Sequence, residues 1–326
     1  MMEKEHSNQE TSSPGALPSV STSQLAIAAI ILSALTGAVF FTEISFSKTS
    51  AVAAAGEVPS EHSLDPFLNM KLEAKSAVAV DLPSGKVLYE LNPDVQLPLA
   101  SIAKIALVAS VADVLNPEEY IVLVNNAYSI GSADRLEVGE RWLVKDIIDY
   151  TLLGSSNGGA TALAAAADAP LRALYPDAKD GEAALFAMNA LADQLELGHT
   201  YFLNTSGLDE DGAVSGAYGS ARDVVKLLAR AYAFSKLFSS TAQEKLVVWE
   251  AGGTKAAVAF NTNEALPAIP GLILGKTGFT DLAGGNLAIV FEPEPAHPVA
   301  VVILGSTKEG RFSDMEEFVH RIREAL

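Results

Sequence analysis

The order of elements in this sequence predicts an α/β fold: one antiparallel sheet made from N- and C-terminal strands, flanking helices, and an inserted all-helical lobe. Three observations carry that prediction. A strand, turn and strand begin near residue 76, a middle region of helical periodicity follows, and a block of strands closed by one helix ends the chain. The two ends can share a sheet only if the helices between them form a lobe, and the cleft then falls at the lobe boundary.

Composition narrows the function. At 326 residues with 49% apolar content, the chain can bury a substantial core. A formal charge of −18 with no basic stripe argues against a nucleic-acid partner. The absence of cysteine excludes disulfides, thiol catalysis and cysteine metal sites. The five histidines are scattered, with no His-x-x-x-His pair, so neither a metal nor any other cofactor is expected.

Residues 1–24 are rich in Ser, Thr, Glu, Gln and Pro and read as a disordered tail. Leu25 to Phe41 is apolar apart from Ser33, Thr36 and Gly37, long enough for a short membrane span. It is either an uncleaved anchor or a cleavable signal segment. The anchor is favoured, because the preceding region is long and acidic and the nearest Ala-x-Ala, Ala51 to Ala53, lies well beyond the apolar run. Lys4 on one side and Lys48 on the other leave its orientation open. Residues 42–70 read as a linker, and 71–326 as the folded domain, with the helical lobe at about 97–240.

Within the domain, Ser76–Val80 and Lys86–Glu90 flank the turn Asp81–Gly85 as a hairpin. A helix then begins behind Pro98. From Ile102 to Val111 only Lys104 and Ser110 are polar, so this helix is apolar nearly all round and therefore buried. Leu143, Ile147, Ile148, Leu152 and Leu153 recur at helical spacing up to the small-residue turn Gly154–Gly159. Further helices are predicted over Ala160–Ala167, Ala183–Leu195 and Ala221–Phe234. Strands follow at Ala256–Phe260, Leu272–Thr277, Leu287–Phe291 and Val299–Leu304. The last helix opens on the capping-box pattern Ser313-Asp314-Met315-Glu316 and carries Met315, Phe318, Val319, Ile322 and Leu326 on one face.

The chemistry is concentrated at Ser101 and Lys104. Burial disfavours the ammonium and leaves an amine able to accept a proton, and the i, i+3 spacing puts Ser101 on the same helix face. That pairs a nucleophile with its base. A second copy, Ser45-Phe46-Ser47-Lys48, falls in the linker with no helical pattern beyond it and is discounted. Two further motifs follow in order: Ser155-Ser156-Asn157 between helices, and Lys276-Thr277-Gly278 at a strand end. Ser-x-x-Lys, Ser-x-Asn and Lys-Thr-Gly together are the signature of penicillin-binding proteins and related β-lactamases.

The resemblance extends from Ala74 to about Glu317. It also rests on Asp81-x-x-Ser84-Gly85-Lys86, Leu152-Leu153-Gly154, Asn204-x-x-Gly207-Leu208-Asp209, Asn261-Thr262-Asn263 and Gly275 to Thr280. The chain resembles the serine-type D-alanyl-D-alanine carboxypeptidases, low-molecular-weight penicillin-binding proteins of the β-lactamase/transpeptidase-like superfamily. The resemblance implies that Ser101 attacks the carbonyl of the penultimate D-alanine of a peptidoglycan stem peptide and forms an acyl-enzyme, with Lys104 taking its proton. Ser155 and Asn157 would complete proton relay and positioning. Lys276 and Thr277 would bind the terminal carboxylate, and the N–H groups of Ser101 and Phe279, the latter beyond Gly278, would form the oxyanion hole. β-Lactams would be covalent inhibitors. The implied location is the bacterial cytoplasmic membrane, through a single N-terminal span with the catalytic domain outside, or secretion if that segment is cleaved.

Two departures stand out. Gly158 replaces the acidic residue that often follows Ser-x-Asn in the family. The chain also ends after the closing helix, so the N-terminal span is expected to replace the C-terminal tether of many relatives.

Other readings make distinct demands. An endopeptidase of the same family would use the same residues. A class A β-lactamase needs a glutamate for deacylation, and Glu182-Ala183-Ala184-Leu185-Phe186 fails the Glu-x-x-Leu-Asn pattern at its last position. Gly154-Ser155-Ser156-Asn157-Gly158 matches the Gly-x-Ser-x-Gly elbow of α/β-hydrolases, but follows a helical pattern rather than a strand. A non-catalytic wall-binding module would have no need of an activated nucleophile.

Overall fold

The computed structural model describes residues 65–124 and 136–325. The tail, the apolar segment Leu25 to Phe41, the Ser45 to Lys48 motif, most of the linker and Leu326 lie outside the described residues. No helix among the described residues is long and apolar enough to cross a membrane.

The hairpin forms as β1 (Ser76–Asp81) and β2 (Lys86–Leu91), followed by the short β3 (Leu97–Pro98). A 3₁₀ turn (Ala100–Ile102) leads into α1 (Ala103–Val111). Then come β4 (Tyr120–Val122), β5 (Arg141–Leu143), α2 (Val144–Leu153), α3 (Asn157–Leu174) and α4 (Ala183–Gln194). β6 (Tyr201–Phe202), β7 (Ala217–Gly219), α5 (Ala221–Tyr232) and α6 (Ser235–Phe238) complete the middle region. The remainder is β8 (Lys245–Trp249), β9 (Ala256–Phe260), β10 (Leu272–Thr280), β11 (Gly284–Phe291), β12 (Val299–Ser306) and α7 (Gly310–Ala325).

The main sheet has five strands in the order β10-β11-β12-β1-β2, and every pairing is antiparallel. All of β12 is buried, as expected of a strand covered on both faces. The period-2 alternation of side chains splits the sheet between two cores. Ala77, Ala79, Leu287, Ile289, Phe291, Val299, Val301 and Ile303 meet Met315, Phe318, Val319 and Ile322 of α7. Val78, Val80, Ala288, Val290, Ala300, Val302 and Leu304 face the opposite core, which holds α1 to α5. The sheet is thus the middle layer between α7 and the helical side. α5 packs directly on β12, β1 and β11, while α1 is enclosed by α3, α4 and α5.

Several boundaries differ from the sequence reading for local reasons. α7 begins at Gly310, whose N–H donates to Thr307 Oγ1 at 2.9 Å, so Ser313 lies inside the helix rather than at its cap. Asp314 serves tertiary structure instead of a capping box: its carboxylate accepts from the N–H groups of Glu73 and Ala74 and from Ser306 Oγ, at 2.9, 3.0 and 2.8 Å. α3 starts at Asn157 because Ser156 Oγ accepts from Gly159 N at 2.7 Å, and it continues through Pro170, which has no backbone N–H to give the helix. β10 runs to Thr280, so Lys-Thr-Gly lies within the strand rather than at its end. Short β-ribbons lie outside the main sheet: β9 pairs with β8 rather than joining it, and β4 pairs with β5.

Candidate active site

The site is built where the start of α1 meets the edge strand β10. Ala100 adopts φ +49°, a left-handed kink that sets the turn carrying Ser101. Three residues hold this turn. Asn286, fully buried on β11, donates from Nδ2 to the carbonyls of Pro98 and Leu99 at 3.0 Å each, while its Oδ1 accepts from Gly305 N. Gly207, at φ +78°, backs Ala100 so closely that a Cβ there would lie 1.9 Å from Ala100 O. Gly278 similarly admits β10 against the turn, since a Cβ would meet Leu99 O at 2.7 Å. The spacing Asn204-x-x-Gly207 has a direct cause: Asn204 Oδ1 accepts from the N–H groups of Ser206 and Gly207, folding a loop whose Ser206 carbonyl points at Lys104.

Lys104 is completely buried. Its Nζ lies 2.7 Å from Ser101 Oγ, 2.8 Å from Asn157 Oδ1 and 2.8 Å from Ser206 O. The last two oxygens can only accept. Lys104 Nζ donates to both, and the Ser101 hydroxyl lies within hydrogen-bond distance of the same nitrogen.

Across the cleft, Lys276 Nζ donates to Ser155 Oγ at 2.8 Å and to Thr277 O at 3.0 Å. Ser155 sits at φ +57°, in the left-handed region, and this conformation belongs to the turn between α2 and α3. Burial, and then the charges of Lys104 and Arg311, hold the Lys276 ammonium well below the usual lysine range. Thr277 Oγ1 shares a 2.6 Å hydrogen bond with Thr262 Oγ1. Phe279 places its ring at the mouth, 43% exposed, with Lys308 Nζ 5.6 Å from its centroid.

The structure therefore links Ser101, Lys104 and Asn157 by hydrogen bonds, and Ser155 with Lys276. Thr277, Gly278 and Phe279 continue along the same strand, with Gly278 against the nucleophile turn. Four contributors went unassigned at the sequence level: the Ser206 carbonyl, Thr262, Asn286 and Arg311. Asn204-x-x-Gly207 and Asn261-Thr262-Asn263 marked two of these places, whereas Asn286 and Arg311 carry no local signal.

The competing motifs resolve elsewhere. Ser156 Oγ is a helix cap, not an exposed nucleophile on a strand-to-helix elbow. Glu182 lies at the exposed start of α4, 3.7 Å from Lys179. Among the described residues no cluster of three or more His, Asp or Glu side chains could hold a metal ion.

Comparison with known proteins agrees with this geometry. A family profile described as D-alanyl-D-alanine carboxypeptidase, peptidase S11, matches residues 62–308. A D-alanyl-D-alanine endopeptidase of Pseudomonas aeruginosa is 30% identical over 251 residues, covering 76% of this chain and 74% of the relative. The carboxypeptidase DacF of Bacillus subtilis is 29% identical over 245 residues, and the match spans 73% of this chain but only 59% of DacF. Penicillin-binding protein D2 of Listeria monocytogenes, solved with cefotaxime bound, superposes with a TM-score of 0.65 at 27% identity, over 78% of this chain and 98% of that one.

Proposed function

Because the chain belongs to the D-alanyl-D-alanine carboxypeptidase family, we propose that it is a serine D-Ala-D-Ala carboxypeptidase acting on peptidoglycan stem peptides through an acyl-enzyme on Ser101. The observation that carries this reading is the 2.7 Å contact between Lys104 Nζ and Ser101 Oγ, which puts a buried amine beside the hydroxyl it would deprotonate.

The chemistry follows from the positions. Lys104 accepts the Ser101 proton as Oγ bonds to the carbonyl carbon of the penultimate D-alanine, a general-base contribution of about 10²- to 10⁴-fold. The N–H groups of Ser101 and Phe279 receive the oxyanion of the tetrahedral intermediate. The carbon–nitrogen bond then breaks, and the leaving amine takes the proton from Lys104, with Ser155 and Asn157 lining that transfer path. Water, deprotonated by the same lysine, hydrolyses the ester and releases Ser101.

Lys276 and Thr277 bind the terminal carboxylate. The arriving anion supplies Lys276 with the counter-charge that its burial lacks, which strengthens its hold on the proton as substrate binds. Substrates with a free C-terminus are selected for that reason. The same constellation accepts the carboxylate and strained amide of a β-lactam, leaving Ser101 acylated.

A second reading, endopeptidase cleavage of D-alanyl cross-links, is favoured by the Pseudomonas aeruginosa relative, which bears that name. Leu25 to Phe41 would tether the domain to the outer face of the bacterial cytoplasmic membrane.

Fluorescent penicillin should label the wild type covalently and fail to label Ser101→Ala; absence of labelling in the wild type would overturn the enzymatic reading. Free D-alanine released from a D-Ala-D-Ala muropeptide, but not from a cross-linked dimer, distinguishes carboxypeptidase from endopeptidase.

A further inference from the structure

We propose that Arg311 is a positioning residue of the oxyanion hole, gripping and polarising the Gly278–Phe279 peptide from the side opposite the cleft. This rests on the reading of Ser101 as nucleophile and the Phe279 N–H as an oxyanion donor.

Arg311 is only 6% exposed, and its Nη1 donates to the Gly278 carbonyl at 2.7 Å. That carbonyl belongs to the same peptide unit as the Phe279 N–H. In a planar trans peptide the C=O and N–H point in opposite directions, so a cation behind the oxygen leaves the hydrogen aimed away from it. The site demands that direction: β10 is the sheet's edge strand, and Gly278 lies against the turn that carries Ser101.

The charge acts in two ways. It fixes the peptide plane, because rotating the N–H out of the cleft would tear the carbonyl from a short, charge-assisted hydrogen bond. It also draws electron density toward the carbonyl oxygen, which makes the N–H at the other end a stronger donor to a developing oxyanion.

Arg311 is poorly explained as a structural group alone. Among the described residues no carboxylate stands within ion-pair distance of it, and its buried Nε has no partner. Glu264 and Glu309 act on it only at range, and the rings of Phe312 and Phe279 lie 4.5 and 5.8 Å from its guanidinium carbon. Burying a cation this way is unfavourable, and an apolar side chain of similar length would fill the space without that penalty. What an apolar side chain cannot supply is the contact with Gly278 O.

The test compares wild type, Arg311→Met and Arg311→Lys. Each is acylated with benzylpenicillin carrying ¹³C at the β-lactam carbonyl, and the ester carbonyl band of the acyl-enzyme is read by infrared difference spectroscopy. In Arg311→Met the band moves to higher wavenumber, because the carbonyl is less polarised. Acylation and kcat on a D-Ala-D-Ala peptide then fall about 10- to 100-fold, short of losing a whole oxyanion donor, while KM stays within about twofold. Arg311→Lys, which keeps a cation behind the carbonyl, recovers part of both effects.

An unmoved band in folded Arg311→Met overturns the proposal even if the rate drops, since a merely structural role would slow the enzyme without touching the ester's polarisation. If Arg311→Met does not fold, Arg311→Gln, a neutral donor, takes its place under the same criteria. A wild type that benzylpenicillin does not acylate overturns the enzymatic reading and this inference together; acylation with an unmoved band overturns this inference alone.

Discussion

Replacing Gly207 with alanine tests whether the nucleophile turn is set by backbone contact from the Asn204 loop. The position lies at φ +78°, where a Cβ costs about 1 kcal/mol in backbone strain alone. The larger effect is steric. The new methyl would stand 1.9 Å from Ala100 O and 2.5 Å from Ala100 C, both backbone atoms, so no side-chain rotamer can yield. Ordinary contact begins at 3.4 Å, and the two segments must part by about 1.5 Å. Ala100 immediately precedes Ser101, and the Ser206 carbonyl immediately precedes Gly207, so the shift disturbs the nucleophile and one of the contacts of Lys104 together. A displacement of about 1 Å in a reacting group lowers rate about 100-fold. Strain and clash together should remove about 2–4 kcal/mol of stability, a Tm decrease of roughly 5–10 °C. Stopped-flow labelling with fluorescent penicillin reads the first effect and calorimetry the second. Acylation within about threefold of wild type, on a scale where tenfold is 1.4 kcal/mol, would refute the argument that Gly207 fixes the turn.

Two further outcomes follow from the same contacts. Lys276 binds its proton less tightly when folded than at its ordinary value of 10.5, so the unfolded chain carries the extra proton between those two values. Stability attached to this group is therefore greatest above 10.5 and declines as pH falls through the folded value; Tm of the wild type should climb more steeply with pH in that window than Tm of Lys276→Met, and parallel curves would contradict the assignment. Asp314→Ala strips the acceptor from two backbone N–H groups and Ser306 Oγ, at a cost of about 3 kcal/mol. Because those donors lie on the α7 side of the sheet, Tm should fall while penicillin acylation at low temperature is unchanged, and a parallel loss of acylation would count against a purely structural role.

What the sequence revealed depended on how local each cause was. Lys104 could be singled out because a charge in a helix apolar on every face is anomalous within ten residues. The sheet was legible because Val299–Leu304 has no polar residue to expose, and a strand of that kind must be central. The closing helix misled at its start, since Ser313 and Glu316 fit a capping pattern while the real donor–acceptor pair, Gly310 and Thr307, depends on how the chain leaves β12. β8 escaped because Lys245–Trp249 exposes alternate residues on a ribbon only two strands wide, leaving a weak pattern. The Ser206 carbonyl, a backbone atom, was marked only by the Asn204-x-x-Gly207 spacing around it. Arg311 and Asn286 act across the fold on backbone oxygens, and no spacing in the sequence encodes such a contact.

The partners that surround the buried cations explain why they can serve chemistry rather than stability. Lys104 reaches two neutral carbonyl oxygens and a hydroxyl, Lys276 a hydroxyl and the Thr277 carbonyl, Arg311 the Gly278 carbonyl. A carboxylate in any of these places would neutralise the charge, raise the proton affinity of a lysine and lock it as ammonium. Neutral dipoles orient the nitrogen without cancelling its charge. On the proposed mechanism the anions that meet Lys276 and the peptide held by Arg311 are the substrate's own, its terminal carboxylate and the developing oxyanion.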